Sequence, residues 1–172
     1  MNFIVSVDEE WNIGYRGGLL QRIPEDMRQF RAKTVHRVVV MGRRTLESFP
    51  GGKPLPDRTN IVLTRRKDFR MEGAMICHSY PDLFDLLRSW PNEDIFIIGG
   101  GEIYNQLIPY CRKGFVTKLH KIYPADTRIT DLDREDNWRI VGKDGPHPYK
   151  DEIFYTYLEY RNNRVRSMPK KE

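Results

Sequence analysis

Short β-branched runs alternate with amphipathic stretches along this chain, and the apolar period switches repeatedly between strand-like and helix-like spacing. Residues 3–7, 37–41, 59–64, 74–77, 95–98 and 115–122 read as strands rich in Val, Ile and Phe, bounded by Gly, Pro or charge. Residues 24–33, 43–48, 82–89 and 102–108 have helical spacing, and 152–160 reads as a last strand. The segment 8–21 is a polar, Gly-bearing loop, 50–57 is a Pro/Gly loop, and 126–149 reads as a long polar loop anchored by Trp138. Strand–helix–strand repetition with short connections predicts a single α/β domain with a mostly parallel sheet flanked by helices. No helix is evident between the last two strands, so the C-terminal strand is expected to be antiparallel. There is no internal repeat and no linker; the expected organisation is one domain over 1–161 and a basic, flexible tail over 162–172.

The helix that begins at Pro24 carries the residue with the most to explain. Proline suits a first helical position, and the acids Glu25 and Asp26 suit the positive end of the helix dipole. At about 100° per residue, Ile23, Met27 and Phe30 share a face, with Asp26 roughly 40° from Phe30 and Glu25 on the far side. A carboxylate beside an apolar stripe is costly unless a cation or donor meets it. Helix cap and ligand-facing acid are both open on this pattern alone.

Charge narrows the classes of partner. The formal charge is +5, but the stretch 161–172 alone carries +4, leaving the body near +1. No aromatic residue interleaves with those basic positions, so a solvated terminus is expected and no nucleic acid. Cys77 and Cys111 form no CxxC pair, the four histidines lack HExxH-type spacing, and no metal site is expected. The N-terminal stretch has neither the basic start nor the apolar length of a signal peptide, and no apolar run approaches a membrane span. A reducing cytoplasm is the expected compartment.

Anion chemistry gathers after strands. The run 95–104 is a buried strand leading through Gly99, Gly100 and Gly101 into a helix, a pattern that lets backbone N–H groups approach a phosphate. It is neither the GxGxxG fingerprint nor a Walker A loop. Gly42-Arg43-Arg44-Thr45 and Arg65-Arg66-Lys67 follow two other strands, where an α/β sheet places ligand phosphates. Together they suit a polyanionic cofactor. The loop 8–21, with Gly14, Gly17 and Gly18, has the length of a lid and leads straight to Asp26. No Ser/His/Asp or Cys/His arrangement is readable.

The order and spacing of several short motifs resemble the dihydrofolate reductase family over roughly 3–161. They are Ile13-Gly14, Ile23-Pro24-Glu25-Asp26 with Phe30, Met41-Gly42-Arg43-Arg44-Thr45, Leu55-Pro56-Asp57-Arg58-Thr59-Asn60, Ile98-Gly99-Gly100-Gly101 with Tyr104, Thr117, and Asp126-Thr127. The resemblance implies an eight-stranded, mainly parallel sheet and NADPH-dependent reduction of 7,8-dihydrofolate, with hydride going to pterin C6 and a proton to N5. It implies that Asp26 binds the pterin's N3 and 2-amino group, that Thr117 buttresses it, and that Gln21 stands near the chemistry. Ile4, Ser6, Phe30, Arg31, Phe49, Leu55, Ile98 and Tyr104 would line the substrate pocket, with Arg58 on the α-carboxylate of the glutamate tail. The cofactor would lie against Ser6, Ile13, Gly14, Gly42, Leu63, Thr64, Ile98, Glu102, Ile103, Tyr104 and Thr127. Arg43, Arg44, Thr45 and Arg65 would hold its phosphates. Gly99, Gly100 and Gly101 would admit the pyrophosphate, with Gly99–Gly100 a candidate cis peptide. The same resemblance implies that antifolates bind, and a monomer is expected.

Two departures stand out. Leu19-Leu20-Gln21 occupies the place of the family's Leu-Pro-Trp, which predicts altered lid closure and antifolate affinity with the reaction class unchanged. Glu102 follows the glycines where some members are basic, leaving Arg44 and Arg65 to set the preference for NADPH. A riboflavin-pathway pyrimidine reductase would share fold and cofactor but differ at the pterin-binding acid. A nucleic-acid-binding module would instead depend on the basic tail.

Overall fold

The computed structural model describes residues 1–171. Within them the chain builds an eight-stranded sheet from β1 (Asn2–Val7), β4 (Val38–Gly42), β5 (Thr59–Leu63), β6 (Ala74–Cys77), β7 (Ile95–Gly99), β8 (Lys113–Leu119), β10 (Trp138–Tyr149) and β11 (Ile153–Asn162). Their order is β10-β11-β8-β1-β7-β4-β5-β6. Pairing is parallel from β8 to β6, while β11 runs antiparallel to β8 and β10 antiparallel to β11. A small three-stranded sheet joins β3 (Gly18–Leu19), β2 (Asn12–Tyr15) and β9 (Thr127–Arg128).

Strand alternation sorts the core into two faces. Phe3, Val5, Val7, Val38, Val40, Ile95, Ile97 and Val116 form one cluster with Leu83, Phe84 and Leu87 of α3 (Tyr80–Leu87) and Ile103, Tyr104 and Leu107 of α4 (Gly101–Leu107). Val39, Met41, Val62, Phe96 and Ile98 form the other, with Leu46 of α2 (Arg43–Glu47) and Phe30 of α1 (Pro24–Thr34) packed on it. Ile4 and Phe115 project to this second face. Trp138 is buried against the Phe3 ring, 5.6 Å between centroids, as its anchoring role requires.

Three expectations need correction. The segment 126–149 is not a loop: it holds β9, a short 3-10 turn and the twelve-residue strand β10, which is the sheet's eighth strand. β11 alone runs against the other strands, as expected for the C-terminal strand, while β10, antiparallel to β11, points the same way as the parallel set. Met27 is 37% exposed, so the inward stripe of α1 runs through Ile23, Phe30 and Thr34 instead. The loop 8–21 carries the β2–β3 hairpin, and Asp8 fastens its base. The buried Asp8 carboxylate accepts from the backbone of Glu10, Asn12 and Tyr123 and from the Asn12 amide, all at 2.9–3.1 Å.

After β11 the basic tail runs back along the body. Arg166 N–H donates to the Pro109 carbonyl, Arg88 donates to the carbonyls of Met168 and Pro169, and Lys171 meets Asp82 at 2.7 Å. Position 172, the end of that tail, lies outside the described residues. No described helix is long and apolar enough to cross a membrane. Among the described residues no three His, Cys, Asp or Glu side chains are placed to share a metal ion.

Candidate active site

Asp26 sits in the first turn of α1 and turns toward the sheet, where the Thr117 hydroxyl of β8 donates to its Oδ1 at 2.6 Å. Glu25, one residue earlier, points outward and pairs with Arg28. Burial raises the Asp26 pKa above its ordinary value, and the Thr117 bond works against that rise. Asp26 and Thr117 line a cavity of about 270 Å³ with Ile4, Gln29, Lys33 and Tyr157. Beside it Ile4, Phe30, Phe49, Leu55 and Ile98 pack into one apolar cluster, so those five expected pocket residues do converge. Ser6 is the ladder partner of Thr117. Its side chain shares that face because directly paired residues project to the same side.

Two guanidiniums stand at the far end of this face. Arg58 donates to the Thr34 hydroxyl and the Pro56 carbonyl, both at 3.2 Å, and lies 5.9 Å from the Phe30 ring centroid. Partial burial and then the neighbouring Arg31 lower its pKa. Its fork is thereby held at the rim by neutral acceptors, with no carboxylate bonded to it among the described residues. Asn60 fixes the loop before it by bonding Leu55 in both directions.

The glycine turn lies at the carboxyl edge of β7, beside the ends of β4 and β5. Gly99–Gly100 is a cis peptide, as expected. A Cβ on Gly100 would lie 3.5 Å from Thr45 Oγ1, and one on Gly101 would meet Thr127 Cγ2 at 2.5 Å and Ile13 Cδ1 at 3.8 Å. Gly99, Gly100, Gly101, Thr45, Ile13 and Thr127 are therefore one neighbourhood, and Gly14 joins it as the ladder partner of Thr127. Gly42 backs onto Ile103, and the Tyr104 hydroxyl donates to the Ile4 carbonyl at 2.7 Å, tying the turn to the face that carries Asp26. Thr64, just past Leu63 at the end of β5, is buried and accepts from Arg66 N–H. His78 Nδ1 meets the Thr64 carbonyl at 2.9 Å.

Among the basic residues assigned to this edge, Arg43 is paired with Glu47 at 2.7 Å and Arg65 with Glu102 at 3.1 Å. Arg44 is exposed and makes no ion pair among the described residues. Gln21 is not brought to Asp26: its amide is turned back on the Arg22 carbonyl at 3.4 Å and lines no part of the cavity. Sequence reasoning passed over Gln29, Lys33, Tyr157 and His78. Gln29 and Lys33 follow Asp26 at i+3 and i+7, a helical spacing that could have found them. Tyr157 reaches the cavity only through strand pairing, for which the sequence carries no local signal.

An acid-headed apolar face beside a glycine turn, both served by strand ends, places this chain among the α/β domains that bind ligands in the crevice at the carboxyl edge of the sheet. The particular kind is settled by comparison with known proteins: the chain belongs to the dihydrofolate reductase family, whose sequence pattern matches residues 1–162. It is 34% identical over 165 residues to the dihydrofolate reductase of Bacillus subtilis, covering 93% of each chain. It is 34% identical to that of Staphylococcus haemolyticus, covering 94% of this chain and 96% of the other. A solved dihydrofolate reductase from Enterococcus faecalis, complexed with NADP(H) and RAB-propyl, superposes with a TM-score of 0.79 at 31% identity over 94% of this chain and 95% of that one. Neither the pyrimidine reductase nor the nucleic-acid module is favoured by these likenesses.

Proposed function

We propose that this chain, acting as a monomer, reduces 7,8-dihydrofolate to 5,6,7,8-tetrahydrofolate at the expense of NADPH. The observation that carries the reading is Asp26, a carboxylate held by Thr117 at the head of an apolar face that ends in Arg58 and Arg31. A pterin presents N3–H and a 2-amino group as two nearly parallel donors, which a carboxylate accepts together. Ile4, Phe30, Phe49, Leu55 and Ile98 would cover the pterin and aminobenzoyl rings, whose flat apolar surface suits them. Arg58 would pair fork-to-carboxylate with the glutamate tail, helped by Arg31. A substrate with a donor-rich head, an aromatic middle and an acidic end matches this sequence of surfaces.

The glycine edge fits the cofactor. Gly100 leaves open the space beside Thr45 Oγ1 that a Cβ would fill, and Arg44, nearby in sequence, offers an exposed guanidinium with no ion pair among the described residues. Gly99, Gly100, Gly101 and Thr45 would take the pyrophosphate, with Arg44, Thr64 and Arg65 toward the remaining phosphate. When bound, NADPH would supply the hydride for pterin C6 and be left as NADP+, with the N5 proton drawn from solvent. The β2–β3 hairpin is the covering lid, with Asp8 as its fixed base. Asp26 holds the pterin's orientation by accepting from its donor edge, and Thr117 fixes the carboxylate in the rotamer that does so.

The test is the fall in absorbance at the NADPH band on adding dihydrofolate, compared with the aminopyrimidine substrate of a riboflavin-pathway reductase. Consumption with dihydrofolate alone supports the reading. Consumption with the pyrimidine alone, or with neither, overturns it.

A further inference from the structure

One polar group in the Asp26 cavity has no part in the scheme above. Tyr157 lies on β11 directly opposite Thr117. Paired residues project to the same face, so the phenol stands beside the hydroxyl that holds Asp26, and it lines the same cavity. Its Oη is buried and makes no hydrogen bond of good geometry among the described residues, the Tyr155 hydroxyl being its nearest hydrogen-bonding neighbour. A buried hydroxyl without a partner is costly, and where one persists it marks a group whose partner comes from elsewhere. The hydroxyls of Tyr80 and Tyr123 also have no partner among the described residues, but neither residue lines this cavity.

The surroundings say what Tyr157 can do. Burial, then Tyr155 and Asp26, raise its pKa, so the phenol stays protonated and is available as a donor. Glu25 and Arg28 of α1, outside the cavity, are near enough to act on it by charge, and the His147 ring of β10 lies 5.7 Å away, centroid to centroid. Thr117 occupies Asp26 Oδ1, and Oδ2 accepts from no group among the described residues. Gln21 ends the chain segment that enters α1, yet its amide is turned to Arg22 and supplies no donor to the cavity. At about 270 Å³ the cavity has room for a bridging water beside a ligand.

We propose that Tyr157 is a positioning residue of the substrate site, its hydroxyl donating through one water to Asp26 and so holding the carboxylate against the substrate's donor edge. Together with Thr117 it gives the carboxylate two fixed donors, one from each of two adjacent strands. This rests on Asp26 being the substrate-facing acid, and it assigns to β11 the donor that Gln21 does not provide.

Tyr157→Phe tests it, because the ring and its packing against Tyr155 are kept and only the hydroxyl is lost. Losing a donor to the carboxylate should raise the Asp26 pKa by about half a unit to one unit, read by carbon NMR of aspartate-labelled protein without any substrate. The KM for dihydrofolate should rise roughly fivefold to tenfold while the dissociation constant for NADPH stays unchanged. In the Asp26→Asn background the same substitution should have almost no further effect on dihydrofolate binding. An Asp26 titration that superimposes on the parent's overturns the proposal, as does an equal loss in the Asp26→Asn background. The carboxyl titration needs no turnover, so it distinguishes failure of this proposal from failure of the functional reading.

Discussion

The Thr117 hydroxyl donates to the Asp26 carboxylate across 2.6 Å, joining a central strand of the sheet to a helix 91 residues earlier in the chain. Ser6, Thr117 and Tyr157 form one rung across β1, β8 and β11, and α1 lays Asp26 against it. The position of the acid is therefore set by strand register as much as by the helix that bears it.

Thr117→Val removes that donor at nearly constant volume. The Asp26 pKa, already raised by burial, should rise further because the one bond that lowers it is gone. The KM for dihydrofolate should increase about tenfold, the usual scale for losing a hydrogen bond to a charged group. Steady-state kinetics across pH check both effects. Unchanged KM and pH profile would show that Thr117 only packs.

Asp26→Asn should stabilise the fold while it harms activity. The folded-state pKa of Asp26 lies above its ordinary 3.8, so its contribution to stability is fully present below that value and is lost as pH rises through the raised one. At neutral pH the buried charge is a burden that the amide lacks. Thermal melts should show a higher Tm for the variant at pH 7 and no difference near pH 3. A lower Tm at pH 7 would mean that Asp26 gains more from its neighbours than burial costs it.

Glu102→Gln frees Arg65. The pair is highly exposed, at 90% and 64% side-chain accessibility, so stability should change by less than about 0.5 kcal/mol. The released guanidinium becomes available to a phosphate, and the KM for NADPH should fall roughly twofold to threefold while that for NADH stays put. Equal changes for both cofactors would place Arg65 away from the phosphate that distinguishes them.

Asp126 pins the tip of the β2–β3 hairpin, accepting Arg16 N–H and the Thr127 hydroxyl, each at 2.9 Å. Those bonds, Arg16 first, hold its carboxyl below the usual range. A depressed pKa gives an interaction that is present above 3.8 and lost as pH falls through the lowered value. Hydrogen exchange at Arg16 should be protected at pH 6, lose protection in acid, and be fast at every pH in Asp126→Ala. Persistent protection in that variant would contradict this role.

The buried parallel strands were readable because both faces of each are covered, which leaves continuous β-branched runs such as those of β4 and β7. β10 was not readable for the converse reason. It is an edge strand paired only with β11, most of its residues are exposed, and two irregularities interrupt its register. No apolar alternation could announce it. Asp26 was found because helical periodicity links it to Phe30, yet the same periodicity drew in Met27, since rotation angle alone does not say where a helix's inward face ends. The glycine turn was legible as a motif, whereas the pairing of Arg65 with Glu102 and the turning away of Gln21 are side-chain outcomes that spacing does not encode. Tyr157 depends on a ladder between segments about forty residues apart, and nothing local in either segment points to the other.

The most direct measurement of the central claim is dihydrofolate-dependent NADPH oxidation by the parent chain and by Asp26→Asn at neutral pH, with NADPH affinity measured separately. The parent should turn over, and the variant should lose at least about tenfold to a hundredfold in kcat/KM for dihydrofolate, the scale of a lost charge-assisted bond, with NADPH affinity unchanged. Equal kcat/KM for the two proteins would contradict the assignment of Asp26 as the acid that holds the substrate.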